Sequence, residues 1–456
     1  MRRALSRLWR RAGTLAGLPA GVIALAATLI VAASTAPARA ADPATEQPTF
    51  SRDIAPLVFT HCAACHRPGE VAPFSLLSYE DVKKRARQIA QVTADRYMPP
   101  WKSVEGHGRF VGERRLTPAQ IDLIARWVSQ GAPAGDPREL PAPPQFRDGW
   151  TLGEPDLVLT MPEPFEVPAE GPDVYRNFVL RLEVPHGKYL KALEYRPSNR
   201  RVVHHALFAS DATGKARQED EADPLPGAPS SLNIPGRLFP GSMSAWAPGR
   251  EARPLPEGIS MPWDNKHDLV LQLHLHPSGK PEVERSSIGF YWTDEPPRKS
   301  MLDVMMLDRN IDIPPGEANY KTRDEFTVPV EMEVLALFPH MHLLGRDFRI
   351  TAVPPTGEPF SLIWINDWDF NWQSLYQCDP PVRLPAGTKV VLEGIHDNSA
   401  GNVRNPHNPP QRVTFGEQTA NEMTAALIQL VPVHESDLPK MAEANKRRVI
   451  SGITAK

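Results

Sequence analysis

A chain of 456 residues with a hydrophobic fraction of 41% is long enough for roughly two to four domains with buried cores. Its formal charge of −3 argues against a nucleic-acid partner, and no phosphate-cradling glycine loop or dinucleotide fingerprint occurs. Fifty prolines, about twice the usual share, break long helices and suit turns and edge strands, which favours a β-rich body over a helical bundle.

The N-terminus reads as an export signal over residues 1–40. Arg2, Arg3, Arg7, Arg10 and Arg11 form a positive region, an apolar run follows from Gly21 to Ala33, and Ala38-Arg39-Ala40 supplies small residues around a cleavage point. The apolar run is short for a bilayer span, an uncleaved anchor being the alternative. No other long apolar segment occurs, so no stable membrane span is expected after cleavage, and the mature protein is expected in the periplasm.

Helix signals occupy residues 48–135. Ser51 is a candidate cap for a helix through Phe59, and Ser78 opens a second helix with Asp81 as capping partner. Thr117-Pro118-Ala119-Gln120 combines a cap, proline at the first helical position and glutamine at the third. Ile121, Ile124, Trp127 and Val128 then make one apolar stripe that Gly131 terminates. Inside this stretch lies Cys62-Ala63-Ala64-Cys65-His66. A cysteine pair spaced by two residues and followed by histidine is what covalent haem c requires: two thioethers to the porphyrin and an imidazole for the iron. A zinc site would need a second ligand pair nearby, and none exists. Met98, in a proline-held loop between helices, is the candidate sixth ligand, with His107 competing. The segment resembles the cytochrome c family throughout its length, which implies an electron carrier. The remaining cysteine, Cys378, has no partner left, so no disulfide framework is expected.

Residues 136–149 read as a linker, and the texture changes from Trp150. Four β-like runs stand out: Asn177–Val184, Asp268–His276, Val334–His342 and Thr388–His396. Proline and glycine clusters separate them without a long helical pattern, which predicts two antiparallel β-sandwich, jelly-roll-like domains at 150–310 and 311–435, then a charged helical tail at 436–456. The fold class expected is therefore multidomain: a small all-α cytochrome c domain followed by two β-sandwiches.

Histidines cluster in the β-rich part. His204 and His205 are adjacent, while His274 and His276, and His340 and His342, are spaced to share a strand face. Imidazoles alone suit zinc, copper, iron or nickel, and a thioether would tilt the choice to copper.

Four runs carry a resemblance to the copper type II, ascorbate-dependent monooxygenases, the family of peptidylglycine hydroxylating monooxygenase and dopamine β-monooxygenase. They are Val202-Val203-His204-His205, Leu269-Val270-Leu271-Gln272-Leu273-His274, Pro339-His340-Met341-His342-Leu343-Leu344-Gly345, and Gly416 through Gln418 and Asn421 to Met423. They occur in the family's order, and the resemblance covers roughly residues 150–433. It implies that His204, His205 and His274 bind an electron-supplying copper, with Gln272 beside it, and that His340, His342 and Met423 bind a second copper where dioxygen is activated. The implied activity is insertion of one oxygen atom from O2 into a small organic substrate. Haem c would relay electrons from a periplasmic donor. The alternative is a haem and copper electron-transfer or copper-handling protein.

Adjacent strand residues point to opposite faces, so a shared metal at His204 and His205 predicts a bulge there. His276 is left beside the site or on the surface. His396-Asp397-Asn398-Ser399 resembles bacterial members of the family, the alternative being a capped turn. Where the animal peptide hydroxylase binds its substrate carboxylate, this chain has Phe338 and Leu427, which leaves peptide amidation without support and points to a less polar substrate.

Overall fold

The computed structural model describes residues 47–454, except 71, 147–148, 231–233, 251 and 417, and of 449–454 it describes the backbone alone. The export signal expected at 1–40 lies outside the described residues.

Antiparallel β-strands dominate. The first β-rich half is built on a six-stranded sheet whose centre is Asp268–Leu275, flanked by Val174–Leu180 and Val203–Asp211. Asp268–Leu275 is buried along its whole length. Its leucines at 269, 271, 273 and 275 enter the hydrophobic core with Phe178, Phe208 and Phe290, while Gln272 and His274 alternate to the opposite face. A three-stranded sheet of Leu157–Thr160, Ser287–Thr293 and Tyr189–Arg196 contributes Leu190, Leu193, Ile288 and Phe290 to the same core.

The second half repeats the plan with two four-stranded sheets. Leu302–Asp308, Thr424–Pro432, Met332–Met341 and Tyr376–Leu384 form one, and Tyr320–Thr327, Lys389–His396, Gly345–Val353 and Phe360–Ile365 the other. Met306, Leu337, Phe348, Ile350, Leu392 and Ile428 fill the core of this half. The arrangement is consistent with β-sandwiches.

A register shift between Val334 and Ala336 reverses the alternation of Met332–Met341. Val334, Leu337 and Met341 enter the second core, whereas Leu335 joins the first core together with Val431. The bulge thus fastens the outer face of this sheet to the other half of the molecule. It also leaves Phe338, His340 and His342 turned away from the second core, onto a cleft.

The separate all-α cytochrome c domain expected over 48–135 is not what the chain forms. Its helices are short, at Ala55–His61, Tyr79–Lys84, Ala86–Ala94 and Pro118–Ser129. They share a small core around Phe50, Ile54, Val82, Ile124 and Trp127. Thr49, rather than Ser51, caps the first turn, while Ser78 and the Thr117/Gln120 capping box act as expected. Between residues 95 and 117 there is no helix. That stretch is bonded onto the second β-half: Val104 N–H donates to Trp364 O at 2.8 Å, Val111 N–H to Gln377 O at 2.9 Å, and Phe110 bridges Cys378. The Phe110 ring belongs to the second core and packs on Tyr376 at 5.1 Å. Residues 47–456 form one compact, mostly β unit. Helix signals are local, and between the helices the chain buries Phe110 and its backbone against the sheets instead.

Phe110→Ala should cost about 3–5 kcal/mol of unfolding free energy, as for a core aromatic; denaturant titration reads this, and a near-neutral result would detach the segment from the core. Asp303 gives a pH test. Burial pushes its carboxyl up to about 6, against the opposing pull of Arg237. The folded chain therefore holds this proton more tightly than the unfolded chain does, and stability is lost as pH rises between about 3.8 and about 6. Asp303→Asn should stabilise the protein above about pH 7, with the gain vanishing in acid, in urea titrations across pH.

Candidate metal centre and cleft

The strand Val203–Asp211 carries the expected irregularity: its register against Asp268–Leu275 shifts between Val203 and His205. The extra residue is His204, so both neighbours turn to one side. His205 lies opposite His274 in the ladder. His204 Nδ1 and His205 Nδ1 are 3.2 Å apart, and His274 Nδ1 is 3.3 Å from His205 Nδ1. One ligand atom from each of the three histidines falls within 4.8 Å of the others. Burial, then repulsion by the His274 charge, pulls His204 down to about 4, and the same causes drive His205 well below its ordinary value. At neutral pH these rings are uncharged, with lone pairs to give to a cation.

Asp173 was not singled out in the sequence. One carboxylate oxygen meets His274 Nε2 at 2.6 Å and the other meets His276 Nδ1 at 2.7 Å. Burial raises its pKa, but the two imidazole bonds prevail and hold it at about 2. A carboxylate on the far nitrogen fixes the ring's tautomer and leaves Nδ1 facing its neighbours. Tyr175 stacks on His274 at 4.1 Å. His276 therefore flanks the trio through Asp173, and Gln272, two residues before His274, is held by Asn177 and Ser230.

The second group forms at the end of Met332–Met341. His340 Nε2 and His342 Nε2 are 3.1 Å apart. His340 Nδ1 meets Gln373 Oε1 at 2.6 Å, and His342 Nδ1 meets the Asn421 carbonyl at 3.1 Å. Both partners accept, so each Nδ1 carries the proton and each Nε2 keeps its lone pair. Burial, then His342, pulls His340 down to about 4, and burial lowers His342. Met423 immediately precedes Thr424–Pro432, whose Thr424 and Ala425 pair with Met341 and His340, so the ladder leads it towards His342. Its backbone N–H donates to Glu422 Oε2 at 3.1 Å.

Glu422 is wholly buried. Its carboxylate also accepts from His342 N–H at 3.1 Å and Leu344 N–H at 2.6 Å, and lies 3.2 Å from His396 Nδ1. Burial alone would raise its pKa; the His396 contact leads the forces that lower it. His396 Nε2 in turn meets Thr424 Oγ1 at 2.7 Å. His396 therefore supports Glu422 rather than facing the cleft, and Asn398 ties the loop carbonyls of Ile313, Pro314 and Gln411.

Both histidine groups open on one cleft of about 790 Å³, lined by His205, His274, His340 and His342. A proton on His340 would disfavour one on His205, so the two groups lie within electrostatic reach of each other. Thr60 and Ala64, from the cysteine-motif segment, form part of its wall. In that motif His66 Nδ1 lies 3.2 Å from Phe74 O, which directs its proton there and leaves Nε2 free. Cys62 and Cys65 are both part-buried free thiols, and burial pushes Cys62 up to about 12. Met98 is part-buried just after Ala86–Ala94, its N–H on Val92 O at 3.0 Å. His107 packs edge-on against Trp364 at 4.6 Å. Cys378 is a buried core thiol.

No family model matches the chain, and no curated protein does. Among solved structures, a subviral particle of infectious bursal disease virus VP2 aligns over 63% of this chain and 74% of that one, at 10% identity and a TM-score of 0.20. The structure of the Gx strain of that virus aligns over 62% and 72%, at 10% identity and a TM-score of 0.19. Likenesses of this size carry nothing about what the chain does.

Asp173→Ala should weaken metal binding at the His204/His205/His274 group by about 10–100-fold, the usual effect of losing a carboxylate behind a ligating imidazole. A competition titration with a chromophoric copper chelator measures it; unchanged affinity would leave Asp173 without this role.

Proposed function

We propose that this chain is an exported, haem c- and copper-dependent monooxygenase of the periplasm that inserts one oxygen atom from O2 into a small organic substrate. The observation that supports the reading is the convergence of two histidine groups on one cleft whose wall also includes the cysteine-motif segment.

The donor sets fit the metal. Three imidazoles meet through Nδ1 at one group. Two meet through Nε2 at the other, with Met423 one residue before the strand that pairs with Met332–Met341. Nitrogen with a thioether favours copper over harder divalent ions. His204, His205 and His274 would hold one copper, and His340, His342 and Met423 the second. Cys62 and Cys65 would carry the haem, with His66 and Met98 as axial ligands. Copper there would supply one-electron chemistry on dioxygen, and haem the relay of electrons from a periplasmic donor.

The protein's own contributions follow from its contacts. Gln373 and the Asn421 carbonyl hold the protons of His340 and His342 on the nitrogens turned away from each other. Glu422 binds the backbones of His342 and Met423 with one carboxylate, so two separate chain segments keep one geometry. Asp173 orients His274. Phe338 and Phe370 put apolar surface beside the second group, which limits water there.

Copper and haem content, followed by oxygen uptake by the reduced protein with candidate substrates, tests this. About two coppers per haem and substrate-dependent uptake are expected, with His340→Ala and Met423→Ala each losing one copper and all uptake. Failure to bind copper would end the proposal. Full copper loading without uptake would leave an electron-transfer or copper-handling protein.

A further inference from the structure

Four arginines line the cleft, and the contacts of two of them, Arg114 and Arg250, bear on what it can bind. The short strand Ala245–Trp246 pairs with Ala206 and Leu207, so the loop that follows it leaves beside His205. That loop carries Gly249 and Arg250, and it meets Arg114, from the stretch after Phe110. Arg114 Nη1 donates to Gly249 O at 3.1 Å, while its Nε is buried without a partner. Gly249 has φ +79, and a Cβ there would lie 2.6 Å from Cys65 Sγ and 2.8 Å from Arg114 Nη1, so only glycine allows this approach.

Arg250 donates to Ser242 O at 3.2 Å. Burial pulls its guanidinium down to about 10. Among the described residues neither arginine has a carboxylate in ion-pair range; Glu113, on the same wall, is paired with Arg115 at 2.8 Å. Cations half-withdrawn from water without a counter-charge are unfavourable unless an anion arrives. The same cleft is lined by the apolar side chains of Trp101, Phe338, Phe370 and Leu375.

We propose that the cleft binds a small amphipathic organic acid, its carboxylate received by Arg114 and Arg250 and its apolar body lying along Phe338 and Phe370 beside His340 and His342. The claim rests on the monooxygenase reading, for which the acid would be the substrate, and it replaces the less polar substrate suggested by Phe338 and Leu427: the carboxylate is met on a different wall. A haem propionate is the other source of a carboxylate. Haem c is tethered through its two former vinyl groups, on the edge of the macrocycle away from the propionates, and Arg114 stands near Cys65 on the tethered side.

The test is calorimetric titration of the haem- and copper-loaded protein with hydrocinnamate and its uncharged isostere hydrocinnamide. The acid should bind about tenfold or more tightly than the amide, the gain of a charge-assisted contact in a partly dry site. Arg250→Met and Arg114→Gln should each bring the acid down to the amide's affinity. Equal binding of acid and amide, or an acid preference that survives both substitutions, overturns the proposal. So does a shifted haem midpoint potential in Arg250→Met with acid affinity unchanged, which would give the arginine to a propionate. Copper and haem are assayed on the same samples. Acid preference without copper would sink the monooxygenase and leave the acid site, whereas full metal content without acid preference would sink the acid site alone.

Discussion

Five imidazoles are held partly or wholly out of water with ring nitrogens facing ring nitrogens at 3.1–3.3 Å. Burial and mutual repulsion pull His204, His205, His340 and His342 below the ordinary imidazole range, so the folded chain keeps those four rings neutral. Neutral rings with opposed lone pairs gain nothing from one another, and the architecture around them supplies what they lack. Three of the rings have an acceptor on the nitrogen turned outward: Asp173 behind His274, Gln373 behind His340, the Asn421 carbonyl behind His342. The result is two groups of facing imidazole nitrogens, with the rings of His274, His340 and His342 held by the protein itself.

Two bulges make this geometry available. One, at His204, lets consecutive residues face the same way. The other, at Leu335, reverses the strand so that its leucine fastens to the first core while His340 and His342 look into the cleft. A regular strand at either place would send one required side chain to the wrong face. Glu422 then fixes the second set from behind. Its buried carboxylate accepts from three backbone N–H groups and lies 3.2 Å from His396 Nδ1, and it binds the chain on both sides of the site into one unit.

The cysteine-motif segment is part of the same body rather than an appended carrier. Arg200 pairs with Glu70 at 2.7 Å, Arg114 reaches Gly249, and residues 104–111 hydrogen-bond to the second β-half. A group attached at Cys62 and Cys65 would sit at a fixed position against the cleft, where a flexible linker would supply only a raised local concentration. This integration also brings Arg114 and Trp101 into the cleft wall, so the helical segment shapes the space beside the histidines.

The sequence alone determined whatever depends on near neighbours in the chain. The Thr117/Gln120 capping box, the Ser78 cap, the alternation along Asp268–Leu275 and the pairing of His340 with His342 on one face are all local, because helix caps and strand periodicity are set within a few residues. The need for a bulge at His204 was legible for the same reason, once His205 was asked to share a metal with it. The tertiary structure decided what joins distant segments. The all-α unit expected from good local helix signals dissolved into a β-dominated body, because residues 95–117 bury Phe110 against strands more than two hundred positions away. Asp173, Gln373, Glu422 and the Arg114–Arg250 wall carry no motif. Their significance comes from desolvation and from partners brought within hydrogen-bonding distance by folding, and neither is written in the spacing of residues along the chain.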